Sequence, residues 1–184
     1  LAYDSVNHGL SYNSPRDDPE PDRADELEGF LHAVGAERPI LAGQSMGGMT
    51  IIRWAIRHPD AAPALIISGM GIFTQPRRGP SPLQQPIADD VLFLGVAESF
   101  TPEFYASEPL LVDRYIRVRS TAVRLEAQRH PRPATQLNPP WDPDALADGA
   151  KNIRSPMLLI VGAQDNLRPA AERLQGHLAA RVGQ

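Results

Sequence analysis

The sequence predicts an α/β fold, a mostly parallel sheet of the doubly wound kind covered by helices. Three observations carry that expectation. Short apolar runs at 39–42, 64–67 and 156–161 read as buried strands. Stretches with helical periodicity lie between and after them, and strands that alternate with helices form parallel sheets. A glycine-rich turn, Gly43-Gln44-Ser45-Met46-Gly47, closes the first run and opens a helix.

In chain order, residues 1–3 read as the end of a strand and residues 4–20 as a polar turn region. Ala24, Leu27, Leu31 and Val34 then fall at helical spacing, with Gly35 as the stop. Residues 46–58 read as a helix with Met49, Ile52 and Ile56 on one stripe, ended by His58-Pro59. A long helix near 110–129 repeats Leu111, Tyr115, Val118, Ala122 and Leu125 at intervals of four and three. After the run at 156–161, a last helix spans about 169–182.

Proline makes up 19 of 184 residues, about twice the usual share. Pro76, Pro80, Pro82 and Pro86 form one cluster; Pro131, Pro133, Pro139, Pro140 and Pro143 form another. Neither stretch suits a helix interior or a central strand. They bracket a middle segment, so the chain divides into a core region at 1–73, a helical cap insertion at 74–150, and a second core region at 151–184.

Composition bounds the function. Hydrophobic residues at 42% and charged residues at 22% are ordinary for a soluble globular chain. A net charge of -4 argues against a nucleic-acid surface. No apolar run approaches the roughly 18 residues that a membrane span requires. The absence of cysteine excludes a thiol nucleophile, a disulfide framework and a thiolate metal site. No metal or other cofactor is expected, and the cytoplasm is the default compartment.

Ser45 is the residue in this pattern with chemistry to offer. A serine on a sharp strand-to-helix turn is held in strained backbone angles. Gly43 and Gly47 fall where side chains would collide in such a turn. The helix that starts at Met46 directs free N–H groups and its positive dipole end at the serine, so the Met46 N–H is a natural oxyanion donor. The bland alternative is a glycine-rich packing or phosphate turn with a bystander serine.

Here the chain resembles the α/β-hydrolase fold superfamily, in its serine-nucleophile, esterase- and lipase-like branch. Gly43-Gln44-Ser45-Met46-Gly47-Gly48 matches the family's nucleophile elbow. Residues 4–11, DSVNHGLS, resemble the turn after its fourth strand, with Asn7 where glycine is usual. Residues 157–165, MLLIVGAQD, match the seventh strand and the loop that carries the acid. The resemblance implies a triad in the order serine, acid, histidine. It assigns the nucleophile to Ser45 and the acid to Asp165, which would hold the histidine's tautomer and stabilise the imidazolium. The alternative for Asp165 is an Asp-Asn turn; Asp60, Asp142 and Asp144 are weaker candidates for the acid.

No histidine fits the third place. His177 follows Asp165 by too few residues for the helix and strand that the family puts between acid and base, and it reads as a surface helix residue. His8, His32, His58 and His130 read as structural or solvated. The family's second oxyanion donor and its third strand also have no counterpart here. The sequence therefore reads as an internal portion of a hydrolase.

In the middle segment, Val91, Leu92, Phe93, Leu94, Phe100, Phe104, Tyr105 and Trp141 suit an apolar acyl pocket, although most are expected to form the cap's own core. Arg114, Arg117, Arg119 and Arg124 line the long helix as a solvated face, with Asp113 and Arg117 as an i, i+4 pair. The functional expectation is a serine hydrolase acting on an ester-like bond of a small molecule. Carbon–carbon bond hydrolase, perhydrolase and acyltransferase stay open within the fold. A non-catalytic binding protein of the same fold, or an inactive fragment, is the alternative.

Overall fold

The computed structural model describes residues 1–6, 8, 10–12, 21–72, 100–127 and 143–179. Its elements in chain order are α1 (Arg23–Ala33), β1 (Leu41–Gln44), α2 (Met46–Arg57), β2 (Leu65–Ser68), α3 (Pro102–Ser107), α4 (Pro109–Ala127), α5 (Pro143–Ala150), β3 (Met157–Ile160) and α6 (Arg168–Ala179). They fall into two compact units. One is Pro21–Arg78 with Asn138–Gln184; the other is Leu1–Glu20 with Gly79–Leu137.

The larger unit holds a parallel sheet in the order β1-β2-β3. Its register sets Gln44 beside Ser68 and Ser68 beside Ile160, so the three strands end level. Side chains alternate across a sheet, and here the two faces differ. Leu65 and Ile67 are fully buried on the face that receives α2. On the opposite face Leu158 and Ile160 remain 56% and 48% exposed. Among the described residues, the helices thus cover one face.

Helix α2 forms the middle of this layer. It packs on β1 and β2, and on its other sides against α1 and α5. Its buried residues are Gly48, Thr50, Ile51, Ile52, Trp54 and Ala55. That is broader than the expected stripe: Met49 and Ile56 are only half-buried, because a helix with neighbours on several sides buries more than one stripe. Gly149 lets α5 approach, since a Cβ there would stand 2.7 Å from Ile56 Cγ2.

Helix α1 is fixed by its first residues. The Asp22 carboxylate caps it by accepting the Ala24 N–H at 2.8 Å. The same carboxylate pairs with Arg53 and Arg57 of α2, and Arg57 also meets Asp25. Burial pushes the Asp22 carboxyl up, but the Ala24 N–H and the two guanidiniums outweigh it and hold the group below its usual range. Gly35, at φ 68°, ends the helix as expected.

In the smaller unit the Asp4 turn is well knit. Asp4 Oδ2 accepts the Leu10 N–H at 3.0 Å, and the Asp4 carbonyl accepts the Ser11 hydroxyl. Residues 1–3, expected as a strand end, form none; a strand is defined by its ladder of backbone bonds, and this segment has no ladder. Phe100 stacks on Phe104 at 4.8 Å and meets Tyr115 edge-on at 5.0 Å. These aromatics therefore serve as packing within their own unit. Arg117 pairs with Asp113 at 2.8 Å, as the spacing predicted. Val91, Leu92, Phe93, Leu94, His130 and Trp141 lie outside the described residues, as do Asn7 and the side chains of Arg119 and Arg124.

Two short helices were not anticipated. Thr101 caps α3 by accepting the Phe104 N–H, and Pro102 stands at its first position. Pro143 likewise opens α5. The strand expected at 39–42 begins instead at Leu41 and runs to Gln44, since Ile40 is exposed and outside the ladder. No helix among the described residues is long and apolar enough to cross a membrane.

Candidate active site

Ser45 is the single residue between β1 and α2. Its backbone sits at φ 51°, ψ -114°, and it is the one non-glycine residue at positive φ among those described. Such angles cost about 1–3 kcal/mol and persist only when the surroundings impose them. The surroundings here are explicit. The Ser45 N–H donates to the Ser68 carbonyl at 2.8 Å, which ties the turn to β2. The Ser45 carbonyl accepts the Met49 N–H at 3.0 Å, which starts the helix. The hydroxyl makes no capping bond and is half-exposed.

The glycines divide the work differently from expectation. A Cβ on Gly43 would stand 2.5 Å from both the carbonyl carbon and the oxygen of Gly47, so this position requires glycine. A Cβ on Gly47 would meet nothing within 4 Å among the described residues, which corrects the expected collision there. The collision falls one residue later. A Cβ on Gly48 would lie 3.1 Å from Ile67 Cγ2 and from Met70 Cβ, because Gly48 is the residue that turns toward β2. Met46 is exposed at the first position of α2. Its N–H has no intrahelical acceptor and opens beside the serine.

Asp165 lies in the loop between β3 and α6, at the same edge of the sheet as Ser45. Its Oδ1 accepts the Leu167 N–H at 2.8 Å, an Asp turn of the kind weighed against a catalytic role. The turn engages Oδ1 and not Oδ2. Oδ2 lies 3.9 Å from the point where a Cβ on Gly69 would stand, and Gln44 Nε2 lies 3.6 Å from the same point. Gly69, at φ +55°, thus has the side chains of Gln44 and Asp165 beside it at the end of β2. Nothing in the sequence marks Gly69 beyond its place after an apolar run. The same holds for Gly71, which abuts the Ala170 backbone, while Ile72 exchanges bonds with Ala170 and Arg173 of α6.

No described histidine is hydrogen-bonded to Ser45 or Asp165. His58 stacks on Trp54 at 4.8 Å and reaches Glu28 at 3.3 Å. His32 is exposed on α1. His177 lies near Asp148, whose carboxyl is held down first by Lys151 and then by this imidazole. At 1.5 Å per residue, His177 is about 14 Å along α6 from the end nearest Asp165. His8 bonds the Val6 carbonyl within the Asp4 turn. Of the weaker acids, Asp60 pairs with Arg154 at 3.1 Å, and Asp144 is exposed at the start of α5; Asp142 is outside the described residues. A cavity of about 530 Å³ opens beside β3 and α6, lined by Met157, Leu159, Val161, Ala171 and Leu178 among others, and neither Ser45 nor Asp165 borders it.

Comparison with known proteins identifies the family. The chain is 24% identical over 185 residues to 2-(acetamidomethylene)succinate hydrolase of Mesorhizobium japonicum, covering 93% of this chain and 63% of that protein. A shorter stretch of 58 residues is 34% identical to 2-hydroxy-6-oxo-6-phenylhexa-2,4-dienoate hydrolase of Comamonas testosteroni, covering 32% of this chain and 20% of that one. In structure it resembles the enol-lactonase of Burkholderia xenovorans at a TM-score of 0.64 and 20% identity, over 95% of this chain and 67% of the other. Residues 1–183 match the alpha/beta hydrolase family, and with a serine elbow at the carboxyl edge of its parallel sheet the chain belongs to that family.

Proposed function

We infer that this protein is a serine hydrolase that cleaves an ester-like bond, whether carboxylic ester, lactone or related acyl bond, through an acyl-enzyme on Ser45. The observation that carries the reading is the strained backbone of Ser45, held between Gly43 and Ser68 at the end of β1. A protein that merely binds has no use for a serine kept at that cost, which weighs against a non-catalytic role. The relatives' names support the reaction type, since two of them are hydrolases by name.

In this reading Ser45 Oγ attacks the carbonyl carbon of a small-molecule substrate while an imidazole takes its proton. The carbonyl electrons move to oxygen, and the Met46 N–H helps hold that oxyanion. Collapse of the intermediate expels the leaving group, which receives the proton, and water then releases the acyl group by the same route. Asp165 orients the imidazole and stabilises its charge. No described histidine is hydrogen-bonded to Ser45, so the base is assigned to the mechanism and not to a numbered residue.

A fluorophosphonate probe tests the nucleophile directly. It is expected to label the full chain at Ser45 and to leave Ser45→Ala unlabelled. Equal labelling of the variant would remove Ser45 from the role.

A further inference from the structure

Gln44 ends β1 one residue before the serine, on the sheet face turned away from α2. Its amide nitrogen and Asp165 Oδ2 converge on one point above Gly69, at 3.6 and 3.9 Å. That point is empty because Gly69 has no side chain and stands at φ +55°. The two groups are not hydrogen-bonded to each other in this conformation; a side-chain rotation or intervening water would have to join them over Gly69. The other oxygen of Asp165 is already taken by the Leu167 N–H at 2.8 Å. Arg168, the cation of the same loop, is turned elsewhere: its Nε donates to Glu172 at 2.8 Å and its Nη1 to the Ala163 carbonyl.

We propose that Gln44 is a positioning residue for Asp165, holding the carboxylate's second oxygen from across Gly69. This rests on the reading of Ser45 and Asp165 as members of one triad. A carboxylate bonded through one oxygen alone can rotate about its χ2 axis. Held through both, it presents a fixed lone pair to the imidazole that it must orient. Residues that orient metal ligands from behind typically carry 10–100-fold in affinity or activity, and an orienting donor on a triad carboxylate acts by the same logic. The arrangement also gives the middle residue of the elbow a task. Gln44 is exposed, so packing does not explain an amide there, while a donor set toward the acid does.

The test measures the second-order rate of fluorophosphonate labelling of the full chain against pH, for the parent, Gln44→Met and Gln44→Glu. Gln44→Met keeps the length and removes the donor; it is expected to lower the rate about tenfold with thermal stability unchanged. Gln44→Glu sets a second carboxylate beside Asp165, which favours the imidazolium. The acid limb of its profile is expected to move up by about one pH unit, a change that a packing role would not produce. Parental rates and parental pH profiles in both variants, with Ser45→Ala still unlabelled, would overturn the proposal and leave the nucleophile standing. A parent that does not label at Ser45 would overturn both.

Discussion

Two turns meet at the carboxyl edge of the sheet, and they are built on opposite principles. The turn after β1 has no loop at all. Ser45 alone separates strand from helix, at positive φ, with no side-chain cap, and neighbouring backbone holds it from both sides. The turn after β3 spreads over residues 161–167 and satisfies itself locally. Asp165 accepts the Leu167 N–H, its own N–H donates to Gly162, and its carbonyl accepts from Arg168. At Ser45, the proposed nucleophile, the fold stores strain and leaves no slack. At Asp165, the proposed acid, it uses an ordinary turn. Substitutions should therefore act through backbone at the first turn and through chemistry alone at the second.

The largest effect expected tests the second half of that statement. Asp165→Asn keeps an oxygen for the Leu167 N–H, so the turn should survive. The side chain can no longer hold the required tautomer of the imidazole, and kcat in the full chain should fall about 10⁴-fold with the melting temperature unchanged. Near-parental turnover would move the acid elsewhere. A large drop in stability would show that the second turn is as strained as the first.

At the first turn the counterpart is Gly43→Ala. Its methyl would stand 2.5 Å from the Gly47 carbonyl and 2.7 Å from the Gly48 nitrogen, with backbone on every side. No side-chain rotation relieves that contact, so β1 and α2 must separate. The expected cost is about 3 kcal/mol, read by chemical denaturation, together with loss of labelling at Ser45. A stable, fully labelled variant would mean that the elbow has more room than its packing indicates.

The first turn was legible in the sequence because its requirements are local. Strand, glycine, serine and helix follow one another within a few residues, and Gly43 reads correctly from the motif alone. Gly47 does not: the motif names it, but among the described residues the space around it is open. The glycines at 48, 69 and 71 were illegible for the complementary reason. Each is required by something distant in sequence, such as Ile67 for Gly48 or Ala170 for Gly71. Asp165 stands out in the sequence because a strand end is a local signal. Its nearness to Gln44 over Gly69 does not, because it runs across β2. The short helices α3 and α5 have start signals in Thr101-Pro102 and Pro143, but each is short, and Pro143 also closes a proline cluster in which proline reads equally as a breaker.

A smaller effect concerns how α2 is held from its far side. Asp22 caps α1 and pairs with two arginines of α2. Asp22→Ala should cost about 1–2 kcal/mol, most of it the cap, since partly exposed ion pairs add little. Asp22→Asn keeps the cap and should cost less. The Asp22 carboxyl is held below its ordinary value, so its contribution is complete above about pH 4 and is lost as pH falls through the lowered folded value. Unfolding measured between neutral pH and about pH 3 should therefore show the gap between parent and Asp22→Ala narrowing only at the acid end. A gap that stays constant would assign the effect to packing and not to charge.

The smallest effect is the sharpest test of how the strain is distributed. If Ser45 is held by Gly43, Ser68 and Gly48, then Gly47 contributes only its backbone. It sits in the first turn of α2, where a methyl meets nothing within 4 Å among the described residues. Alanine there removes the entropy that glycine gives the unfolded chain, and alanine is the better helix former. Gly47→Ala should thus raise stability by about 0.5–1 kcal/mol and leave labelling at Ser45 unchanged, although it alters the motif by which the elbow is recognised. Loss of labelling with stability kept would mean that the space beside Gly47 is needed by the substrate or by the oxyanion. Loss of both would return Gly47 to the same class as Gly43, and the strain at Ser45 would then be shared across the whole motif instead of being carried by the strand side and by Gly48.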